Sequence, residues 1–383
     1  MPDFQTHAMY PDATHDEQSR QNFIRTARRH VLGNVLGGAG RAYTARARDA
    51  FEKVAGKPVR NPTDVLKAMD ADAYGQMTGS LVRTTQEMLY DTVGPSIARQ
   101  LPELVDRSNA FAQSNRKRGS LMLDPNLALP RYHAAADIHC KPGAYHSEIV
   151  PDDVFAGAEY DRTINVFYMG SMGPWNDDMG LSLGHWIRKT YPDLKPKRIL
   201  DMGCTIGHST LPYCDLFPDA EIHAIDVAAP VLRYGHARAE AMGKAVHFAQ
   251  MNAEKTPFPD GHFDLVLSHI MLHETALSAL QAIFRESHRL LAPGGVMAHV
   301  DARPFRDDPF DGYFNEWLAH YNNEPFMHTL AKLDLAAIAA EAGFPRQAAF
   351  ETRIPSWFNP PMGTLMAKEA GTWFTAGARK ASV

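Results

Sequence analysis

The sequence predicts an α/β fold for residues 151–383: a doubly wound, mostly parallel sheet of seven strands with an antiparallel edge. An all-helical accessory region precedes it. Three observations carry this. From Lys197 to Val300, short apolar runs alternate with helix-length segments, the signature of parallel strands covered on both faces. The first run ends in the small-residue turn Asp201-Met202-Gly203-Cys204-Thr205-Ile206-Gly207, and a strand feeding such a turn is the usual construction for a nucleotide-like ligand. Finally, the tail carries two further apolar runs, at 347–354 and 363–368, spaced to pair as an antiparallel edge.

Composition bounds the rest. The 383 residues exceed one average domain, so two units are expected: residues 1–150 as helical accessory domain and substrate-side loop, and 151–383 with a core at 196–301. A net charge of -5 carries no electrostatic footprint for nucleic acid. Cys140, Cys204 and Cys214 are too few for a disulfide framework and fit a reducing compartment. There is no apolar run of about 18 residues for a membrane span, and the polar, acidic start lacks a secretory signal. The expected location is the cytoplasm.

In chain order, residues 1–20 read as a flexible lead-in. Residues 23–56 read as an Ala- and Arg-rich helix, with Ile24, Val31, Leu32, Val35 and Leu36 at helical spacing and Gly33, Gly37, Gly38 and Gly40 weakening or splitting it. Asn61-Pro62-Thr63-Asp64 starts another helix, and helical patterns follow at 74–90 and 96–115. This layer is expected to cover a substrate pocket or to form a homodimer contact. Residues 121–151 are loop-like and hold Arg131, Tyr132, His133, Asp137, His139, Cys140 and His146. None of their spacings matches a zinc pair, so they read as a polar loop lining a substrate pocket, and no metal is expected. Two helices, near 159–168 and 176–190, lead to the strands at 198–202, 221–226, 245–250, 263–268 and 296–300. The turn after the first strand is read as opening a helix over 208–217.

Ligands of doubly wound sheets sit at the carboxyl ends of the strands. The residues there are Asp201, Gly203, Cys204, Thr205 and Gly207, then Asp226 with Val227, then Asn252 and Ala253, and finally Ser268 and His269. Asp201 disfavours a pyrophosphate and favours a ligand bearing an ammonium group. Asp226 is placed to accept hydrogen bonds from a ribose diol, at about 1.5–3 kcal/mol each. Asn252 offers its amide to an adenine edge or serves as a turn residue before Pro257. Cys204 reads as a small packing residue.

Five segments together resemble the class I S-adenosylmethionine-dependent methyltransferases: Ile199-Leu200-Asp201-Met202-Gly203-Cys204-Thr205-Ile206-Gly207, Asp226, Asn252-Ala253, Phe263-Asp264-Leu265-Val266 and Leu290-Leu291-Ala292-Pro293-Gly294-Gly295. The likeness covers roughly residues 196–300 and is strongest to the small-molecule branch that includes ubiquinone and menaquinone C-methyltransferases. It implies a Rossmann-like fold, S-adenosylmethionine as cofactor, a backbone approach to its methionine end at Gly203, and ribose contact at Asp226. It also implies that Asp201 orients the turn or meets the ammonium through water. Two residues depart from the family: Thr205 stands where glycine is common, and Asn252 where aspartate is.

A small aromatic or hydrophobic acceptor, methylated at oxygen or carbon, is the expected substrate. The rivals are the same pocket used for a non-methylating reaction, and a non-catalytic partner that has kept it. His269 and His273, four residues apart on a segment read as helical, are the candidate general bases. With His299 or Asp301 that spacing would also suit a metal, and a plain structural role is the other alternative. Tyr160, Tyr168 and Trp317 are the candidate acceptor contacts, Trp317 lying in an aromatic-rich insertion over 301–327.

Overall fold

The computed structural model describes residues 4–302, 308–358 and 371–382. Its sheet has eight strands, β1 (Ser120–Met122), β2 (Arg198–Met202), β3 (Glu221–Asp226), β4 (His247–Gln250), β5 (Phe263–His269), β6 (Leu291–Asp301), β7 (Ala349–Pro355) and β8 (Thr372–Arg379). Their order is β1-β4-β3-β2-β5-β6-β8-β7. All pairings from β1 to β6 are parallel, and β6–β8 and β8–β7 are antiparallel.

Alternation along each strand builds two cores, as a pleated strand requires. Leu200, Met202 and Val266 pack on one face against Leu280, Ile283 and Phe284 of the helix Leu277–Leu290. Their neighbours Ile199, Leu265 and Leu267 pack on the other face against Met179, Leu183 and Ile187 of the helix Asp178–Thr190. The chain runs from β2 outward to β3 and β4, then crosses back to β5 on the far side of β2. That reversal opens a crevice at the carboxyl ends of β2 and β5.

Several expectations change. Strand β1 lies in the stretch read as all-helical and then loop. It is held by register rather than by its own pattern, with Ser120 opposite His247 and Met122 opposite Ala249. The expected strand 363–368 falls outside the described residues, and β8 supplies the antiparallel edge. The turn after β2 stays irregular to Leu211, and only Pro212–Leu216 is helical, because Gly207 adopts φ 72° and interrupts it. His269 ends β5, whereas His273 sits in the short turn Leu272–Glu274, so they do not share a helix face. Ile270, at φ 56°, breaks the run between them.

Residues 4–20 are bound rather than loose. Thr14 caps the helix His15–His30 in a reciprocal box with Glu17, and Met9 is fully buried. That helix continues through two wide turns, Val31–Val35 and Tyr43–Ala47, to Ala55, so the glycines widen it without splitting it. Tyr74, whose hydroxyl donates to the Val35 carbonyl at 3.0 Å, occupies the space a side chain at Gly38 would need. This helical layer shares one hydrophobic cluster with Tyr313, Trp317 and Met327, and another with Val231 and Tyr234 beside the sheet. Among the described residues no helix is long and apolar enough to cross a membrane.

Candidate functional site

A deep cavity opens at the crevice, with its floor on β2, β3 and β5 and its roof on the amino-terminal helices. Arg28, Leu32, Val82, Gln86 and Tyr90 contribute to that roof. The sequence-selected residues Gly203, Thr205, Asp226, Val227, Asn252, Ala253, His269, His273, Tyr160 and Tyr168 all line it.

At one end the chain turns sharply after β2. Gly203 has φ 68°, and a side chain there would meet the Met271 thioether at 2.7 Å. The N–H groups of Gly203 and Cys204 both donate to the Ile225 carbonyl, which pins the turn to β3. Asp226 closes the end of β3: its Oδ2 accepts from the Thr205 N–H and its Oδ1 from the Ala228 N–H, each at 3.0 Å. Burial raises the Asp226 carboxyl above its ordinary value, while those N–H groups and nearby His133 oppose the shift. Each carboxylate oxygen keeps a second lone pair for a ligand.

Thr205 has φ 51°. A β-branched residue there costs about 1–2 kcal/mol, so the glycine common at this position in the family has a conformational reason. Replacing Thr205 by Gly is expected to raise stability by about 0.5–1 kcal/mol, since glycine's greater freedom when unfolded offsets part of the relief. The denaturant midpoint should rise at constant m-value; a lower midpoint would mean that the threonine side chain more than offsets its strain.

Other selected residues lie behind the wall. Asp201 is buried, its Oδ2 accepting from Thr210 Oγ1 at 2.5 Å and its Oδ1 lying 3.4 Å from His269 Nδ1. It therefore braces the turn and the end of β5. Ser268 Oγ lies 2.7 Å from His299 Nδ1 inside the sheet. Cys204 is buried, which pushes its thiol up and away from reactivity. The Gly207 backbone passes so close to the Phe248 ring that a side chain would meet it at 2.9 Å. The Asn252 amide is engaged with Glu254: its Oδ1 accepts from the Glu254 N–H at 2.9 Å and its Nδ2 donates to the carboxylate at 3.3 Å. Trp317 is buried in the helical cluster, with its indole nitrogen against Gly79; its neighbours Phe314 and Leu318 are the ones that reach the cavity.

The two histidines part company. His269 Nε2 lies 3.0 Å from the Tyr213 hydroxyl, and its Nδ1 faces Asp201 Oδ1 at 3.4 Å without a hydrogen bond. His273 Nδ1 is 2.5 Å from Asp301 Oδ1, and that carboxylate also accepts the Leu272 N–H at 2.8 Å, which orients the ring. Its Nε2 faces Glu274 Oε1 at 3.4 Å. Burial alone would push His273 down, but Asp301 and Glu274 outweigh it and hold it well above the ordinary imidazole value.

The cavity also gathers residues that no local pattern joined. His139 comes from the loop, Glu274 follows His273, and Glu324 comes from the insertion after β6. His139 Nε2 lies 2.8 Å from Glu274 Oε1, and its Nδ1 lies 3.1 Å from Glu324 Oε1. Burial opposes the His139 charge, but the two carboxylates prevail and raise it to about 10. More than a hundred residues separate His139 from either carboxylate, so only the His273-Glu274 adjacency was visible as a hint.

A family model described as a methyltransferase domain matches residues 199–295. Demethylmenaquinone methyltransferase of Thermus thermophilus is 36% identical over 109 residues, 28% of this chain and 49% of that protein. Malonyl-[acyl-carrier protein] O-methyltransferase of Legionella pneumophila is 28% identical over 148 residues, 37% of this chain and 50% of that protein. The chain spans about half the length of these curated relatives. A solved phosphoethanolamine N-methyltransferase 2 of Haemonchus contortus, in complex with phosphomonomethylethanolamine and S-adenosylhomocysteine, aligns at a TM-score of 0.42 and 17% identity over 58% of each chain. Residues 199–295 are thus similar to methyltransferase domains.

Proposed function

We propose that this chain is a methyltransferase that binds S-adenosylmethionine at the Gly203–Asp226 end of the cavity and methylates a small hydrophobic or aromatic acceptor, at oxygen or carbon, held at the other end. The observation that supports it most is continuity: one cavity joins the turn and Asp226 to Tyr160, Tyr168 and Phe314.

The residues fit the cofactor. Gly203 lines the cavity with bare backbone at the turn, and Asp226 offers two lone pairs where a ribose diol would lie. Val227, Met251 and Ala253 supply an apolar slot suited to adenine. When bound, the cofactor supplies an electrophilic methyl group. The chain's own contribution is alignment of the acceptor and exclusion of water by the helical roof, an orientation effect worth up to about 7–11 kcal/mol. His269, whose Nε2 meets the Tyr213 hydroxyl, positions the end of β5. His273, oriented by Asp301, turns its Nε2 toward Glu274 at the cavity wall.

Calorimetry with S-adenosylhomocysteine is expected to give one site per chain, and a panel of phenolic, enolic and 2-oxo acid acceptors is expected to release S-adenosylhomocysteine from the methylated cofactor. Binding without release on any acceptor would favour a non-methylating use of the pocket, and no binding would defeat the proposal.

A further inference from the structure

At the acceptor end, one nitrogen or oxygen atom from each of His139, His273 and Glu324 lies within 4.8 Å of the others. Ligands about 2.1 Å from a tetrahedral ion stand about 3.4 Å apart, so side-chain shifts of up to about 1 Å would close the set. Glu274 Oε1 sits beside both rings, and its Oε2 is buried with no hydrogen bond among the described residues.

The surroundings are built for ligation. Metal-bound histidines usually give their second nitrogen to a carboxylate, which orients the ring. His273 does this with fully enclosed Asp301, while the N–H groups of Leu272 and Ala302 hold that carboxylate in turn. Asn322 Nδ2 donates to Glu324 Oε1 at 2.6 Å. Gln86 Nε2 donates to the His139 carbonyl at 2.9 Å, and Asn323 Nδ2 to the Asp137 carbonyl at 2.9 Å.

Backbone strain concentrates here as well. His139 and Cys140 adopt φ 58° and 57°, Ile270 56° and Asn323 55°. Outside Asn323, where asparagine tolerates positive φ, each such residue costs of order 1–3 kcal/mol and persists where the surrounding structure enforces it. Together they flank all three segments that bring ligands in.

We propose that His139, His273 and Glu324, with Glu274 beside them, form a site for one divalent transition-metal cation at the acceptor end of the cavity. Two imidazoles with carboxylate suit Fe2+, Mn2+, Co2+ or Zn2+ better than a purely oxygen-liganded ion. The positions left open face the cavity, where they would take an acceptor that presents adjacent oxygen atoms. That last step rests on the methyl-transfer reading; the ion site does not.

The probe is Co2+, added to the chelator-stripped full chain and read by its visible d–d absorption. One equivalent per chain is expected to give intense bands of an N/O-ligated ion, bleached by Zn2+. Glu324→Gln and His139→Asn, the latter chosen because asparagine tolerates positive φ, are each expected to weaken binding more than 100-fold. Asp301→Asn is expected to weaken it 10–100-fold. His185→Gln, outside the cavity, should bind as the parent does. Circular dichroism and S-adenosylhomocysteine calorimetry on the same samples report folding and the cofactor end separately. Absence of Co2+ bands in the parent chain, or folded variants that bind like it, would overturn the proposal. Co2+ binding without S-adenosylhomocysteine binding would leave the ion site standing and sink only the methyl-transfer reading.

Discussion

Replacing Asp226 by Ala is expected to weaken S-adenosylhomocysteine binding by two to four orders of magnitude. Two charge-assisted hydrogen bonds to a diol, at about 1.5–3 kcal/mol each, set that range. Asp226 also holds the turn through the Thr205 and Ala228 N–H groups, so part of the loss would come from a turn no longer prepared for its ligand. Asp226→Asn separates the two. It keeps one oxygen for the backbone but removes the charge, and about 10–100-fold weaker binding is expected with little change in melting temperature. Calorimetry on folded samples decides, and unchanged affinity in the Ala variant would show that the cofactor does not lie against β3.

The largest effect on stability is expected at Asp161. This buried carboxylate meets His7 Nε2 and the Tyr234 hydroxyl, each at 2.9 Å, and lies 3.5 Å from Arg238 Nε. Burial alone would raise its carboxyl, but Arg238, His7 and Tyr234 prevail and hold it at about 2. Asp161→Ala leaves Arg238 as a buried charge without its partner, a change that costs about 3–5 kcal/mol. It also releases the amino-terminal segment from the helix Phe155–Phe167. The sign with pH follows from the depressed carboxyl. Its stabilising contribution is complete above the unfolded value near 3.8 and is lost as pH falls toward 2. Denaturant unfolding should therefore show a smaller loss between pH 4 and 2 in the variant than in the parent. A variant within 1 kcal/mol of the parent at pH 7 would mean that Arg238 finds another partner.

Much of this chain is legible one segment at a time. The strands from β2 to β6, the turn at Gly203, Asp226 at the end of β3 and the cap at Asn61 are all local, because alternation, turn chemistry and capping act over a few residues. Thr205 was visible as a departure from glycine, and its φ of 51° supplies the reason that departure matters. Strand β1 was not legible, since three residues carry little pattern and this strand exists through its pairing with β4. The ordered amino terminus escaped for a similar reason. Met9 and His7 are fixed by a core, and by an aspartate 154 residues away from His7.

The sequence alone determined the sheet from β2 to β6, the Gly203–Asp226 end of the cavity and the likeness to methyltransferases, because those parts are contiguous along strand ends. The tertiary structure alone decided the other end. His139, His273 and Glu324 sit in three segments with no shared motif, and only packing of the helical roof and the insertion against β5 brings them within 4.8 Å. It also separated His269, at the end of β5, from His273 in the following turn, and moved Trp317 into a core. Periodicity shows which side of an element is buried, but not which distant side chain it meets there. That depends on how the layers close over one another.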